Sequence, residues 1–320
     1  MNLLETQVAI KFIKDRFEAE LAKKLHLTRV SAPLFVKKSS GLNDELNGVE
    51  ETVSFNVQGE HLEIVQSLAK WKRDALSRYG FAHGEGLYTD MNAIRKDETL
   101  DALHSLYVDQ WDWEKIIDKE ERCLPYLFAT VRNIYRVILS LAKTCEKRYG
   151  FDYGLPTTIK MVSTKQLLKK YPNLPSKERE NAIVKEYGAV FLYGIGWPLN
   201  KKVGPHDGRA ADYDDWNLNG DILLYDKALD ASIELSSMGI RVDAEALTKQ
   251  LAQKGENHKL GNPYCQNVLQ GKYPFTIGGG IGQSRLCMYY LQKKHIGEVQ
   301  SSYWPEELLE KWKAEGLKIL

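Results

Sequence analysis

The order of the predicted secondary structure constrains the fold of this chain most strongly. Strand candidates come in clusters, and amphipathic helices lie between the clusters rather than after every strand. A doubly wound parallel sheet would need a crossover helix after nearly every strand. The pattern therefore predicts an α+β fold, with a largely antiparallel β-sheet flanked by helices.

The helix candidates are identified by apolar residues at helical spacing. In the first, Ile13, Phe17, Leu21 and Leu25 repeat every four residues, with charged residues between them. The longest is predicted over 125–149, because proline suits the first turn and Gly150 suits the end. Three more are predicted over 176–187, capped by Ser176, over 243–254, capped by Asp243, and over 283–292.

Strands are predicted where β-branched and aromatic residues cluster between turn residues. These segments are 62–66, 86–89, 104–113, 189–195, 221–225, 232–242 and 275–277. Asn219-Gly220 predicts a hairpin turn, and residues 278–282 predict a glycine-rich turn into the last helix. No linker rich in proline, glycine or serine divides the chain, so we expect one domain over residues 1–320.

Charge excludes a dedicated nucleic-acid binder. The chain has 44 Lys and Arg against 43 Asp and Glu, a net charge of +1, without the basic excess that nucleic-acid binding needs. Any anionic ligand must be held by a few placed cations. No apolar stretch reaches the roughly 18 residues of a membrane span, and no signal peptide is recognised. Four widely spaced cysteines fit reduced thiols, so a cytoplasmic protein without a membrane partner is expected.

The densest glycine run is at 278–285 and ends in Arg285. It lacks the Gly-Lys-Ser/Thr of a phosphate loop, and Arg285 stands where the dinucleotide fingerprint needs a glycine. Glycines let a flat ring or a phosphate approach the backbone closely, and an arginine adds a planar cation. A nucleotide site is one interpretation, and a tight turn with a surface arginine is the other.

The strand at 232–242 contains a carboxylate, two hydroxyls and an arginine. In a regular strand Glu234 and Ser236 share one face, while Ser237 and Arg241 share the other unless a bulge intervenes. The functional interpretation is a Mg²⁺ ligand, Glu234, beside a carboxylate clamp, Arg241. Asp221 on the preceding strand would be a second ligand. The alternative is an edge strand with a plain ion pair and Asp221 as a turn residue.

Three further charged segments have no decisive local pattern. The acidic-aromatic segment 212–216 suits an ammonium group or a metal, or else a solvated loop. The segment 67–73 places three cations around Trp71, so either Lys72 faces a substrate or a helix start is solvated. The segment 94–114 places Arg95 before a strand with Gln110 and Asp112, which would suit a substrate with both phosphate and carboxylate.

Taken in order, these segments resemble the catalytic fold of the class II aminoacyl-tRNA synthetases. Residues 27–35 resemble motif 1, whose proline, here Pro33, lies at the dimer interface. Residues 94–114 resemble motif 2, whose arginine, here Arg95, binds the α-phosphate of ATP. Residues 278–285 resemble motif 3, with Arg285 on ATP. Residues 234–241 are similar to the aspartyl and asparaginyl branch, in which the glutamate holds Mg²⁺ and the arginine holds the substrate carboxylate.

Whole segments narrow the resemblance to the asparagine synthetase A family of ammonia-dependent aspartate–ammonia ligases. The matching segments are 43–48, 67–73, 84–89, 107–114, 234–243 and 278–285. Together they make the resemblance extend from the first helix to residue 297. One departure is that only Asn217 and Leu218 separate Trp216 from Asn219, where a longer loop is expected.

The resemblance implies synthesis of asparagine from aspartate and ammonia. ATP would activate aspartate as β-aspartyl-AMP, with release of pyrophosphate and then AMP. The implied site residues are Asp44, Arg95 and Gln110 at the reacting centre; Lys72, Asp112, Asp214, Ser236, Ser237 and Arg241 on aspartate; Arg95, Arg285, Gly280 and Gly282 on ATP; and Asp221 and Glu234 on Mg²⁺. A homodimer is also implied.

Two other functions are compatible with such a fold. A tRNA-charging synthetase would need an anticodon-binding domain, and the motifs leave no stretch for one. A non-catalytic paralogue acting as a binding module would be expected to lose a motif arginine or a metal carboxylate. Arg95, Arg285, Asp221 and Glu234 are all present.

Overall fold

The computed structural model describes residues 1–46 and 50–320, so the last two residues of the segment 43–48 lie outside it. Its strands are β1 (Leu27–Arg29), β2 (Phe35–Lys37), β3 (Ser54–Val57), β4 (Glu60–Ile64), β5 (Gly86–Ile94), β6 (Tyr107–Ile116), β7 (Lys160–Ser163), β8 (Ala189–Tyr193), β9 (Asp214–Asp226), β10 (Ala231–Arg241) and β11 (Thr276–Gly282). Its helices are α1 (Leu3–Leu25), α2 (Ala69–Tyr79), α3 (Leu124–Tyr149), α4 (Thr164–Lys170), α5 (Ser176–Tyr187), α6 (Ala244–Lys254), α7 (Pro263–Leu269), α8 (Gln283–Tyr290) and α9 (Glu306–Ala314).

Eight strands form one large sheet in the order β1-β5-β6-β11-β10-β9-β8-β7. The pairs between β5 and β8 are all antiparallel, and parallel pairs occur only at the two edges, β1 with β5 and β7 with β8. A small antiparallel sheet has the order β2-β4-β3. The predicted α+β class with a largely antiparallel sheet is confirmed.

The main core lies on one face of the large sheet, beneath α1, α3 and α8. β6 alternates strictly, so Trp111 and Trp113 point into this core while Gln110, Asp112 and Glu114 take the other face. Phe17 of α1 stacks on Trp111 with ring centroids 5.1 Å apart. The four apolar residues predicted for the first helix are all buried here.

The second face of the sheet is covered at its ends and open in the middle. α2 packs Trp71 and Leu76 against Leu87 and Met91 of β5. At the opposite end α5 covers β7, β8 and part of β9 through Ile183 and other apolar residues. Between these clusters β6, β11, β10 and β9 present polar side chains to a cleft. None of the described helices combines the length and the apolar character that crossing a bilayer requires.

Several local predictions were wrong. The glycine run is not a turn, because residues 278–282 form the interior of β11 and α8 follows without a loop. Asn219-Gly220 is not a hairpin, since β9 runs through it, and the same strand accounts for the short connection from Trp216 to Asn219. Pro175, not Ser176, precedes the first turn of α5. Asp243 does cap α6, accepting a hydrogen bond from the Ala246 backbone N–H at 2.8 Å.

The glycines of β11 are needed because side chains of both neighbouring strands lie over them. A Cβ atom on Gly278 would overlap Glu114 Oε2 and approach Arg241 Nη2 to 2.6 Å. A Cβ atom on Gly280 would overlap Gln110 Oε1 and approach Asp112 Oδ1 to 2.8 Å. The glycine strand is therefore the floor of the cleft, and polar side chains of β6 and β10 lie across it.

Gly278→Ala should destabilise the protein, because the added methyl group displaces the buried Glu114 and Arg241 side chains. We expect the free energy of unfolding to fall by about 1–3 kcal/mol, measured by urea denaturation. Gly261→Ala is the matched control. Its added Cβ would meet nothing within 4 Å, and we expect a change below about 0.5 kcal/mol. Equal stability of Gly278→Ala and wild type would contradict the close approach.

Candidate active site

The cleft on the open face of the sheet has a volume of about 380 Å³. Every site residue implied by the resemblance contributes to its wall, except Asp221. Residues far apart in the sequence thus meet in one cavity. They come from the segment after β2, from α2, from the loop after β5, from β6, from the start of β9, from β10 and β11, and from α8.

Strand register aligns one row of functional groups across the floor of the cleft. Asp112 of β6 is opposite Gly280 of β11, Gly280 is opposite Ser237 of β10, and Ser237 is opposite Asp221 of β9. Residues paired in this way project to the same face of a sheet. The row therefore places Asp221 on the same face as the cleft.

A bulge in β10 sets the orientation of its polar residues. The register against β9 shifts between Glu234 and Ser236, so Leu235 is the extra residue. The bulge reverses the alternation, and Glu234 and Ser237 then share the cleft face. Ser236 is paired with Ile222 and Ile281, whose side chains belong to the main core, and its buried hydroxyl has no hydrogen-bond partner among the described residues.

Arg241 is buried between two carboxylates of the protein. Its Nε donates to both Glu114 carboxylate oxygens at 2.9 and 3.1 Å, its Nη2 to Glu114 Oε2 at 2.6 Å, and its Nη1 to Asp214. Thr276 also donates to Glu114 Oε1 at 2.7 Å. Burial alone would raise the pKa of Glu114, but Arg241, Lys72 and Thr276 together outweigh burial and lower it. Burial raises the pKa of Asp214, which Arg241 only partly offsets. Glu114 accepts from two nitrogens of Arg241 and Asp214 from only one, so we expect a ligand to replace Asp214 more readily.

Lys72 forms a second buried ion pair beside the first. Its Nζ lies 3.0 Å from Asp112 Oδ2 and donates to the Gly279 carbonyl at 3.0 Å. Burial lowers the pKa of Lys72, and Asp112 only partly offsets this. The other oxygen of Asp112 is buried without a partner among the described residues, so it can accept a hydrogen bond from a ligand.

Asp44 lies on the wall of the cleft near a third buried ion pair. Lys70 Nζ contacts Asp212 Oδ2 at 2.5 Å, and both side chains are almost fully buried. Burial raises the pKa of the Asp44 carboxyl, against the lowering effect of Lys70. Its Oδ1 accepts a hydrogen bond from the Leu46 N–H at 3.0 Å, while its Oδ2 is buried and unpaired within the described residues. A buried carboxylate with one free oxygen and a raised pKa suits proton transfer.

Two arginines that face the cleft make few contacts with the described residues. Arg95 Nη2 donates to the Gln66 carbonyl at 3.4 Å, and its Nε is buried without a partner among the described residues. Arg285 Nη1 donates to the Glu234 carbonyl at 3.3 Å. Long contacts to neutral carbonyls leave most of the N–H donors available for an anion.

The pair Asp221 and Glu234 fits a hard cation such as Mg²⁺. Both are on the cleft face of adjacent strands, and Asp221 Oδ1 is buried with no partner in the described part of the chain. The pKa of Asp221 is raised to about 7, first by burial and also by the charge of Glu234, against the lowering effect of Arg209. Two such oxygen ligands plus phosphate oxygens are what Mg²⁺ prefers.

The structure resolves the alternatives left open for two of the charged segments. Lys70, Lys72 and Arg73 are all buried, so their helix start is not solvated. Arg73 anchors α2 to the sheet by donating to the Val242 carbonyl at 2.8 Å. The segment 212–216 is not a solvated loop either, since Asp212, Asp214 and Asp215 are each paired with a cation and buried.

Sequence reasoning assigned no role to four charged residues of the site. Glu114 continues the polar face of β6 after Gln110 and Asp112, so strand alternation would have identified it. Lys70 and Asp212 meet only in three dimensions. Arg209 lies in the polar loop before β9, and no local pattern singles it out.

The sequence profile of the aspartate-ammonia ligase family matches residues 4–316. This chain belongs to that family. An aspartate–ammonia ligase of Bacillus cytotoxicus is 57% identical over 322 aligned positions, covering 100% of this chain and 98% of the relative. One from Bacillus mycoides is 56% identical with the same coverage.

Solved structures place the fold among the class II aminoacyl-tRNA synthetases. The asparaginyl-tRNA synthetase of Entamoeba histolytica, in complex with asparaginyl-adenylate, has a TM-score of 0.67 and 16% identity over 94% of this chain and 68% of its own. The Pyrococcus horikoshii enzyme, also complexed with asparaginyl-adenylate, has a TM-score of 0.67 and 15% identity over 94% of this chain and 70% of its own. The predicted class II catalytic fold is confirmed.

Proposed function

We propose that this family member is an enzyme that makes asparagine from aspartate, ammonia and ATP, with AMP and pyrophosphate as the other products. The observation that carries the proposal is that one cleft contains three kinds of site. It has arginines with free donors, a pair of carboxylates suited to Mg²⁺, and ion pairs that can exchange partners with an amino acid.

The first step would join aspartate to the nucleotide. An oxygen of the β-carboxylate attacks the α-phosphorus of ATP, and the bond to the bridging oxygen breaks to release pyrophosphate. Negative charge builds on the phosphoryl oxygens, and Arg95 and Arg285 are placed to stabilise it. Bound at Asp221 and Glu234, Mg²⁺ would supply further charge neutralisation on the phosphates. Gly280 and Gly282 keep the floor low enough for the nucleotide.

Aspartate would be held by groups that already pair with one another. Arg241 can bind the α-carboxylate through its Nη1 edge, where it now contacts Asp214. The free oxygen of Asp112 can accept from the α-ammonium group, and Asp214 is the second candidate for that contact. Lys72, Ser237 and Gln110 complete the substrate wall, whereas the Ser236 side chain faces the main core and is not proposed to bind aspartate.

Ammonia would attack the activated carbonyl in the second step, displacing AMP. Ammonium must first lose a proton, and Asp44 is our candidate for the base because its Oδ2 is buried and unpaired within the described residues. Glutamine is not expected as donor. Burial raises the pKa of Cys145 and of Cys265 to about 12, so these thiols stay protonated and are poor nucleophiles.

The chain is proposed to act as one catalytic domain in a cytoplasmic homodimer. The large sheet draws strands from β1 near the start to β11 near the end, which supports a single domain. Leu34 and Phe35, beside Pro33, are 49% and 44% exposed, and Phe55 packs edge-on against Phe35 at 5.2 Å. An exposed apolar surface of this kind supports subunit contact. Four free cysteines support a reducing compartment.

The two half-reactions should be separable by mutation. Arg285→Ala should reduce aspartate-dependent ATP–pyrophosphate exchange by roughly ten- to hundredfold, as expected for a lost charge-assisted contact of about 1.5–3 kcal/mol. Asp44→Asn should retain exchange better than asparagine formation, because only the second step needs a proton acceptor. Arg78→Ala, which removes a half-exposed arginine paired with Asp74, is the control and should leave both rates unchanged.

Parallel assays of ATP–pyrophosphate exchange and asparagine synthesis decide whether Asp44 acts as a base or only positions the substrate. Equal losses of exchange and of net synthesis in folded Asp44→Asn would show that Asp44 only positions aspartate. Release of pyrophosphate by wild type from aspartate and ATP, in the absence of ammonia, would support the adenylate intermediate. Release of ADP instead of AMP would contradict the proposed function.

If the segment around Pro33 forms the dimer contact, we expect the fraction of dimer to depend on protein concentration. Wild type should sediment as a dimer, and Phe35→Asp should shift it toward monomer because a charge would be buried in the contact. Tyr303→Asp changes an aromatic residue that is 69% exposed elsewhere and should leave the dimer intact. A wild-type monomer that is active at assay concentration would refute the proposal.

A further inference from the structure

Arg209 contacts one of the two carboxylates assigned to the cation. Its Nη2 donates to Asp221 Oδ2. Its Nη1 donates to Asp207 Oδ2 at 2.8 Å and to the Gly208 carbonyl at 3.0 Å. The backbone carbonyl of Arg209 accepts from Lys254 Nζ at 3.3 Å. The side chain is only 14% exposed, so these contacts hold a largely buried guanidinium over the metal carboxylate.

The burial of Asp221 and the nearby Glu234 carboxylate favour a cation at this position. Asp221 is almost fully buried and lies beside Glu234 on the next strand. Two close carboxylates repel each other, and a buried carboxylate is costly unless a positive group pairs with it. In this structure the positive group is Arg209. A divalent cation bound between Asp221 and Glu234 would satisfy the same requirement.

We propose that Arg209 is a positioning residue that occupies the cation site of the free protein and leaves Asp221 when the divalent cation binds. The inference rests on the proposed function, because that function assigns Asp221 and Glu234 to the cation. Arg209 keeps the Asp221 carboxylate in place across the floor, so the site is formed before its ligands arrive.

The displaced guanidinium would remain in the cavity that receives the nucleotide. Arg209 lines the same cleft as Arg95 and Arg285. A planar guanidinium matches phosphate oxygens, so ATP that arrives with its cation can accept the contact that Asp221 gives up. Cation and nucleotide should therefore help each other to bind, and a cation alone should bind weakly, because it must displace Arg209 without compensation.

The test is cation binding without nucleotide or turnover. Mn²⁺ binding to the full-length protein is measured by electron paramagnetic resonance for wild type and Arg209→Gln. Removing the competing charge should tighten Mn²⁺ binding by roughly ten- to hundredfold, the equivalent of one charge-assisted contact. Arg209→Lys keeps a competing charge and should stay close to wild type. Equal or weaker Mn²⁺ binding by Arg209→Gln would overturn the proposal.

Two further variants test whether the change in Mn²⁺ binding arises from the contact between Arg209 and Asp221. Arg285→Gln removes another cation of the cleft that does not contact Asp221, so it should change Mn²⁺ binding much less than Arg209→Gln does. A comparable change in both would reduce Arg209 to a general electrostatic role and overturn the proposal. The double variant Arg209→Gln, Asp221→Asn should lose the tight site. If the tight site persists there, the cation binds elsewhere and the proposal fails.

Thermal stability provides a second readout, which also applies if Arg209→Gln is destabilised. Without Arg209 the two carboxylates are left unneutralised, so Arg209→Gln should melt at a lower temperature, and Mn²⁺ should raise its melting temperature more than that of wild type. A destabilised Arg209→Gln that Mn²⁺ does not rescue would contradict the proposal. Asparagine synthesis by wild type is assayed alongside. Its absence would reject the proposed function, whereas normal synthesis with unchanged Mn²⁺ binding in Arg209→Gln rejects only this inference.

Discussion

The approach of polar side chains to the glycine strand β11 determines the rest of the site. Gly278 and Gly280 have no Cβ atoms, so Glu114 and Arg241 can meet above one glycine, and Gln110 and Asp112 can lie above the other. Interior glycine weakens a strand by itself. Here β11 is held between two long antiparallel neighbours, β6 and β10, and its other face carries Ile277 and Ile281 into the main core. The paired strands keep the floor of the cleft rigid, and the glycines leave room above it for the polar side chains.

The cleft built on this floor is organised by buried ion pairs. Arg241 with Glu114 and Asp214, Lys72 with Asp112, and Arg209 with Asp221 are all formed before any ligand is bound. Buried pairs of this kind contribute little net stability, because desolvation offsets much of the attraction. Under the proposed function, the role of these ion pairs is to exchange one protein partner for a ligand. A zwitterionic amino acid can replace one member of a pair at each end, and a metal-bearing nucleotide can do the same at Asp221. Under the proposed function, ligands would therefore substitute for protein contacts rather than enter an uncharged cavity.

The sequence predicted the long helices and the α+β class, because apolar residues repeated over many helical turns are a stronger signal than any single residue. The resemblance of whole segments to a family, rather than any local pattern, singled out residues that the structure brings together in one cleft. Local patterns failed where tertiary context reversed them. Asn219-Gly220 has hairpin chemistry, yet β8 and β10 pair on either side and keep it in a continuous strand. The glycines of β11 have turn chemistry, yet side chains packed above them require a strand. Arg209 could not be predicted, since its partner Asp221 is 12 residues away across a loop whose path only the fold determines.

Transfer of oxygen from aspartate to AMP tests the central claim most directly. Aspartate labelled with ¹⁸O in its β-carboxylate is incubated with ATP, ammonia, Mg²⁺ and the wild-type protein, and the products are analysed by mass spectrometry. If the β-carboxylate attacks the α-phosphorus, the AMP formed must contain one ¹⁸O atom, because ammonia displaces the oxygen that bridges carbon and phosphorus. Pyrophosphate must remain unlabelled. Unlabelled AMP, or label in inorganic phosphate released together with ADP, would contradict the adenylate mechanism and with it the function assigned to the cleft.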